Sequence, residues 1–199
     1  MNRKLGIAAS LLSAIVSAFG ISSDAFAQAG AGWVQLFNGQ NLNNWNPIGD
    51  ANWTVENGIV TANAGKGGFL VSKESYGNFQ LRAEIWVDSD ANSGIFIRGS
   101  DPQRIGGMTS YEVNVFDKRP GPEYGTGAIV NVGKVDPMPK AGGHWNYLEI
   151  EADGPVMTIM FNGIRTVNHV RDDKHPSGVI GLQYGNGIVK FRRVEIRPL

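Results

Sequence analysis

The stretch Asn52 to Ala62, "NWTVENGIVTA", alternates apolar with polar or small residues on either side of Asn57 and Gly58. Asn-Gly tolerates the positive φ angles that close a type I′ turn, so the segment predicts two short antiparallel strands and a hairpin. The same dipeptide stands in "TIMFNGIRTV" at Asn162 and Gly163 and in "LQYGNGIVKF" at Asn186 and Gly187, which predicts two more hairpins. Further strands are expected at Phe79 to Val87, Gly94 to Arg98, Tyr111 to Phe116, Ala128 to Val132, Trp145 to Glu151 and Val189 to Ile196. No stretch beyond the N-terminus sustains a helical period. The expected architecture is an all-β, antiparallel sandwich around one apolar core.

The N-terminal 27 residues follow a different logic. Arg3 and Lys4 precede an apolar run through Phe19, and Ala25, Phe26 and Ala27 supply a small-residue ending. This pattern predicts a secretory signal peptide cleaved before Gln28, hence bacterial export to the periplasm or the exterior. No integral membrane segment is expected after cleavage. Residues 28–199 then form one domain, a length that suits a sizeable core.

Charge narrows the partners. The 199-residue chain carries 18 Lys and Arg against 18 Asp and Glu. Without Arg3, Lys4 and Asp24, the remaining 16 basic and 17 acidic residues leave a formal charge of −1. A nucleic-acid surface needs concentrated positive charge and is not expected. Cysteine is absent, so neither a disulfide nor a cysteine nucleophile is available. No nucleotide-binding glycine motif and no Gly-x-Ser-x-Gly elbow occurs. His144, His169 and His175 lack the close spacing of a transition-metal site. A divalent cation such as calcium, held by Asp117 and loop carbonyls, remains open because hard cations take oxygen ligands.

Period-two alternation sorts three central strands into faces. Leu81, Ala83, Ile85 and Val87 oppose Arg82, Glu84 and Trp86. Ile95 and Ile97 oppose Phe96 and Arg98, and Tyr111, Val113 and Val115 oppose Glu112, Asn114 and Phe116. Each strand thus joins an aliphatic face to one mixing carboxylates, arginine and aromatic rings. A solvated sheet face is one reading. The other is a carbohydrate groove, because aromatic rings with converging polar groups suit sugar recognition. In that groove Glu84 and Glu112 would be a carboxylate pair for proton transfer. Arg98 would stabilise an oxyanion or pair with either carboxylate. Asp117, at the strand end, would bind substrate or cap its loop. Gln183 would reach a ligand hydroxyl from another strand end.

In order along the chain stand "GWVQLFNGQNLNNW", "WTVENGIV", "YGNFQLRAEI", "NSGIFIR", "YEVNVFD", "TGAI", "HWNYLEI", "FNG", "GLQ" and "FRRVEIRPL". From about Gly32 to Leu199, this succession resembles the 3-keto-disaccharide hydrolase domain family. The resemblance implies a concanavalin A-like jelly-roll sandwich that binds carbohydrate and cleaves glycosides already oxidised at carbon 3. A separate oxidoreductase would supply that ketone. It further implies proton transfer by Glu112 and enolate stabilisation by Arg98. Glu84 would tune the catalytic pair, and Asn114, Asp117, Gln183, Trp86 and Phe116 would contact the sugar. The alternative is a non-catalytic carbohydrate-binding or cell-surface module. Three departures stand out: Asn114 where the family has glutamine, no histidine soon after Gln183, and Phe191-Arg192-Arg193 where many members have Phe-Arg-Asn.

Overall fold

The computed structural model describes residues 32–199; the signal-peptide expectation for residues 1–27 lies outside them. Among the described residues the chain forms thirteen strands, one short 3-10 helix at Pro122–Tyr124 and no α-helix. In chain order these are β1 (Val34–Phe37), β2 (Trp45–Gly49), β3 (Thr54–Glu56), β4 (Ile59–Ala62), β5 (Gly68–Tyr76), β6 (Phe79–Val87) and β7 (Asn92–Gly99). They continue with β8 (Tyr111–Val115), β9 (Trp145–Asp153), β10 (Val156–Phe161), β11 (Ile164–Arg171), β12 (Gly178–Asn186) and β13 (Val189–Pro198).

Two antiparallel sheets stack face to face as a concanavalin A-like jelly-roll sandwich. One runs β11-β10-β9-β6-β13-β4-β3, with β1 also on β13; the other runs β2-β5-β12-β7-β8. The alternation expected of β6 holds throughout: Leu81, Ala83, Ile85 and Val87 are buried while the residues between them are partly exposed. Inner faces meet through Leu81, Ile85, Leu148 and Phe191 on one sheet and Leu70, Ile95, Val113 and Leu182 on the other. Each such side chain contributes roughly 1.5–3 kcal/mol on full burial. A cysteine-free core of this extent accounts for the fold without disulfides.

The turns at Asn57-Gly58 and Asn162-Gly163 close hairpins, with β3 on β4 and β10 on β11. Both asparagines and both glycines have positive φ. The third expected hairpin is corrected. Asn186-Gly187 carries the chain from one sheet to the other, since β12 pairs with β5 and β7 whereas β13 pairs with β6, β4 and β1. A carboxylate holds this crossing: the Ile188 amide donates to Asp88 Oδ2 at 2.7 Å, and the Asp88 amide donates to the Ile188 carbonyl at 3.1 Å. Residues 128–132, expected as a strand, lie beside β8 and bridge it only at Val113–Ile129.

Candidate functional site

The register of the five-stranded sheet places two rows of side chains on its outer face. Asn46, Val71, Gly181, Phe96 and Glu112 lie across from one another, as do Ile48, Phe69, Gln183, Gly94 and Asn114. Between these rows the core-facing residues Leu70, Leu182, Ile95 and Val113 point the other way, as the period of two requires. The 100–110 loop folds over part of this face. A Cβ on Gly181 would lie 3.4 Å from Ile105 Cγ2, Phe69 Cδ1 and Phe96 Cβ alike, so Ile105 sits above the glycine between two rings. Those rings, Phe69 and Phe96, meet edge to face at 5.0 Å. This apolar wall flanks the polar end of both rows.

Three groups define that end. Glu112 is partly buried, and its carboxyl has no hydrogen bond or ion pair among the described residues. Desolvation pushes its pKa above the ordinary carboxylate value, and the nearby Arg119 charge opposes that shift in part. Asn114 lies two residues further along the same face. Its Nδ2 donates to the Tyr124 carbonyl at 2.8 Å, while its Oδ1 is buried with no donor among the described residues. Gln183 Oε1 is buried and unpartnered in the same way. Gly94 stands opposite both amides, with Gln183 Oε1 3.6 Å from the position a Cβ would take. Two acceptor oxygens therefore flank a site without a side chain, beside a carboxyl whose burial favours the proton-bearing form. Such acceptors suit a ligand rich in hydroxyl donors, because a buried polar atom left unpaired costs about 1–3 kcal/mol.

The wider constellation expected from sequence does not assemble. Glu84 and Trp86 lie on β6, in the eight-stranded sheet, and face the opposite side of the molecule from Glu112. Glu84 accepts from Arg192 Nε at 2.6 Å and Arg193 at 3.2 Å, and Trp86 lies under Lys190 Nζ at 4.5 Å. No Glu84–Glu112 pair exists. Arg98 is also corrected. Its φ of 55° and the slip in register between Val179 and Gly181 break the alternation of β7. The side chain turns inward, fully buried, and donates to the carbonyls of Gly77 at 2.9 Å, Gly154 at 2.7 Å and His175 at 3.5 Å. It fastens loops together and does not reach the outer rows.

Asp117 takes the loop-capping alternative. Its Oδ1 accepts from the Thr126 hydroxyl at 2.6 Å, and its carboxylate accepts the amides of Ala141 and Gly142 at 3.0 Å. Among the described residues no group of three or more His, Cys, Asp or Glu is placed to hold a metal ion. Phe116 is partly buried directly after β8. Site residues that the sequence reading missed are Phe69, Ile48 and Ile105. Phe69 and Ile48 sit on strands for which no expectation was formed, and Ile105 lies in a loop where no periodicity operates. Arg119, in the loop that follows β8, acts electrostatically on Glu112.

Two cavities open elsewhere, both on the eight-stranded side. One of about 360 Å³ is lined in part by Glu84, Arg192 and Arg193, and one of about 280 Å³ in part by Trp33, Glu149 and Arg165. The unpartnered acceptors and the shifted carboxyl favour the five-stranded face as the candidate site.

The family described as "3-keto-alpha-glucoside-1,2-lyase-like domain" matches residues 32–197. A 3-keto-disaccharide hydrolase of Bacteroides thetaiotaomicron is 32% identical over 77 residues, a match covering 33% of this chain and 27% of that protein. A Parabacteroides distasonis protein provisionally assigned as a glycosyl hydrolase superposes with a TM-score of 0.69 at 24% identity, covering 84% of this chain and 99% of that one. The carbohydrate-binding module CBM66 from Bacillus subtilis gives a TM-score of 0.63 at 16% identity, covering 77% of this chain and 95% of that one. At these identities the two structures establish the shared fold.

Proposed function

The chain belongs to the 3-keto-alpha-glucoside-1,2-lyase-like family, and from that premise we propose that it is an exported enzyme cleaving 3-keto-glycosides on the outer face of its five-stranded sheet. The observation that carries this reading is the Glu112 carboxyl: partly buried, unpaired, raised in pKa and adjacent to two acceptor amides. A ketone at carbon 3 acidifies the carbon 2 proton. The Glu112 carboxylate removes that proton, and the electron pair passes through an enolate to expel the glycosidic oxygen from carbon 1, which takes up the proton from Glu112 as it leaves. Water adds at carbon 1 of the resulting enone and a proton returns to carbon 2, so the net change is hydrolysis. A base whose pKa is raised toward the working pH serves such a step.

Asn114 and Gln183 accept sugar hydroxyls, Phe69 and Phe96 support the apolar side of the ring, and Arg119 takes the enolate-stabilising role first assigned to Arg98. The ketone is supplied by a separate oxidoreductase. Residues 1–27 direct export and are then removed. A second reading, a non-catalytic carbohydrate-binding module, is favoured by Glu112 being the only carboxyl in the two outer rows. Calorimetry with a 3-keto-disaccharide, paired with chromatography of the same mixture from about pH 5 to 9, separates the two readings. Heat of binding with released monosaccharide supports the enzyme; binding without release assigns the module.

A further inference from the structure

On the opposite face, β4 and β1 occupy one edge of β13 in succession. β4 pairs with Val189 to Phe191 and β1 with Val194 to Ile196. Arg192 and Arg193 fall in the gap, where neither strand pairs, and the cavity of about 360 Å³ opens there. Opposite them the β13–β6 register slips between Arg192 and Glu195, a β-bulge. Arg193 has a φ of 51°, a left-handed backbone uncommon outside glycine and asparagine. Instead of alternating to opposite faces, Arg192 and Arg193 both turn their guanidinium groups onto Glu84.

One carboxylate therefore serves two cations, because the neighbouring Glu195 is held by Arg82. Arg192 is further fixed by stacking 4.1 Å from the Trp145 ring, whereas Arg193 is 57% exposed at the cavity. The rest of the lining is uncharged, with the amides and glycines of Asn38, Gly39, Asn57 and Gly58 beside the apolar Phe37 and Ile59.

We infer that this cleft is a second saccharide site, distinct from the Glu112 face, which takes an acidic sugar through its carboxylate. Planar guanidinium groups match a carboxylate bidentately, the exposed Arg193, which shares the single Glu84 carboxylate with Arg192, sets the sign of the ligand, and the amides of the rim suit hydroxyl groups. Such a site would tether the protein to a uronic-acid polysaccharide while the opposite face works independently.

Titration calorimetry of the purified full chain with tri-galacturonic acid, maltotriose and sulfate tests the inference. Tri-galacturonate is expected to bind at least about tenfold more tightly than either comparison ligand, and more weakly as salt is raised. Arg193→Asn keeps a residue suited to the left-handed backbone and should weaken tri-galacturonate at least about tenfold. Glu84→Gln removes the competing carboxylate and should tighten it by about threefold or more. A merely structural ion pair would not give these opposite signs. Undetectable binding at about 10 mM, equal affinity for maltotriose or sulfate, or unchanged affinity in both variants would overturn it.

Discussion

Glu112 combines a titrating group with a face that alternation correctly turned away from the core. Burial raises its folded-state pKa above the unfolded value, so the native state favours the protonated acid. The stability this confers is full below the unfolded carboxyl pKa and is lost as pH rises through the folded pKa. Glu112→Gln lacks that titration, so its urea midpoint should rise relative to wild type between about pH 4 and 8. A constant difference across that range would refute the shifted carboxyl. Arg98 makes a contrasting prediction: Arg98→Met should cost about 3 kcal/mol or more in urea denaturation, because several buried acceptors lose their donor. A loss under about 0.5 kcal/mol would show that the loops do not depend on it. Sequence placed Arg98 beside Phe96, since no pattern announces one left-handed residue inside a strand. Arg193 was no more legible: "FRR" stood out only as a departure from the family pattern, and its left-handed backbone follows from the bulge in β13.

At the scale of elements, alternation assigned faces within a strand but not the sheet to which the strand belongs. β6, β7 and β8 share one pattern, so Glu84 and Glu112 were read as neighbours, yet β6 pairs with β9 and β13 while β7 and β8 lie in the other sheet. Asn186-Gly187 failed for a related reason: turn chemistry records the bend of the backbone and is silent on whether the flanking strands pair. Gly94 tests the joint between β7 and β8. A Cβ there would lie 2.8 Å from the Val113 carbonyl, so Gly94→Ala must push the strands apart beside Asn114. Its melting temperature should fall, with a loss of about 1–3 kcal/mol, and affinity for the 3-keto-disaccharide should fall with it. Wild-type stability and affinity together would remove Gly94 from the site.

Across the whole molecule, the sandwich gives the protein two outer faces with different chemistry. The five-stranded face carries one shifted carboxyl and unpaired amide acceptors, and the eight-stranded face carries cationic side chains laid over tryptophans, as at Trp33, Trp86 and Trp145. The antiparallel sandwich was legible because hairpin turns, strand alternation and the absence of helical periods agreed with one another. The difference between the two faces was not, because it depends on long-range pairing that local pattern does not encode. Glu84→Gln should therefore leave turnover of a 3-keto-disaccharide within about twofold of wild type; a loss of tenfold or more would tie the two faces together. The most direct test of the account is monosaccharide release from a 3-keto-disaccharide and from its unoxidised parent, by wild type and by Glu112→Gln. The account predicts release from the ketone alone, with kcat/KM lowered at least about 100-fold in the variant. No release by wild type, equal cleavage of the parent, or an unimpaired Glu112→Gln enzyme would contradict it.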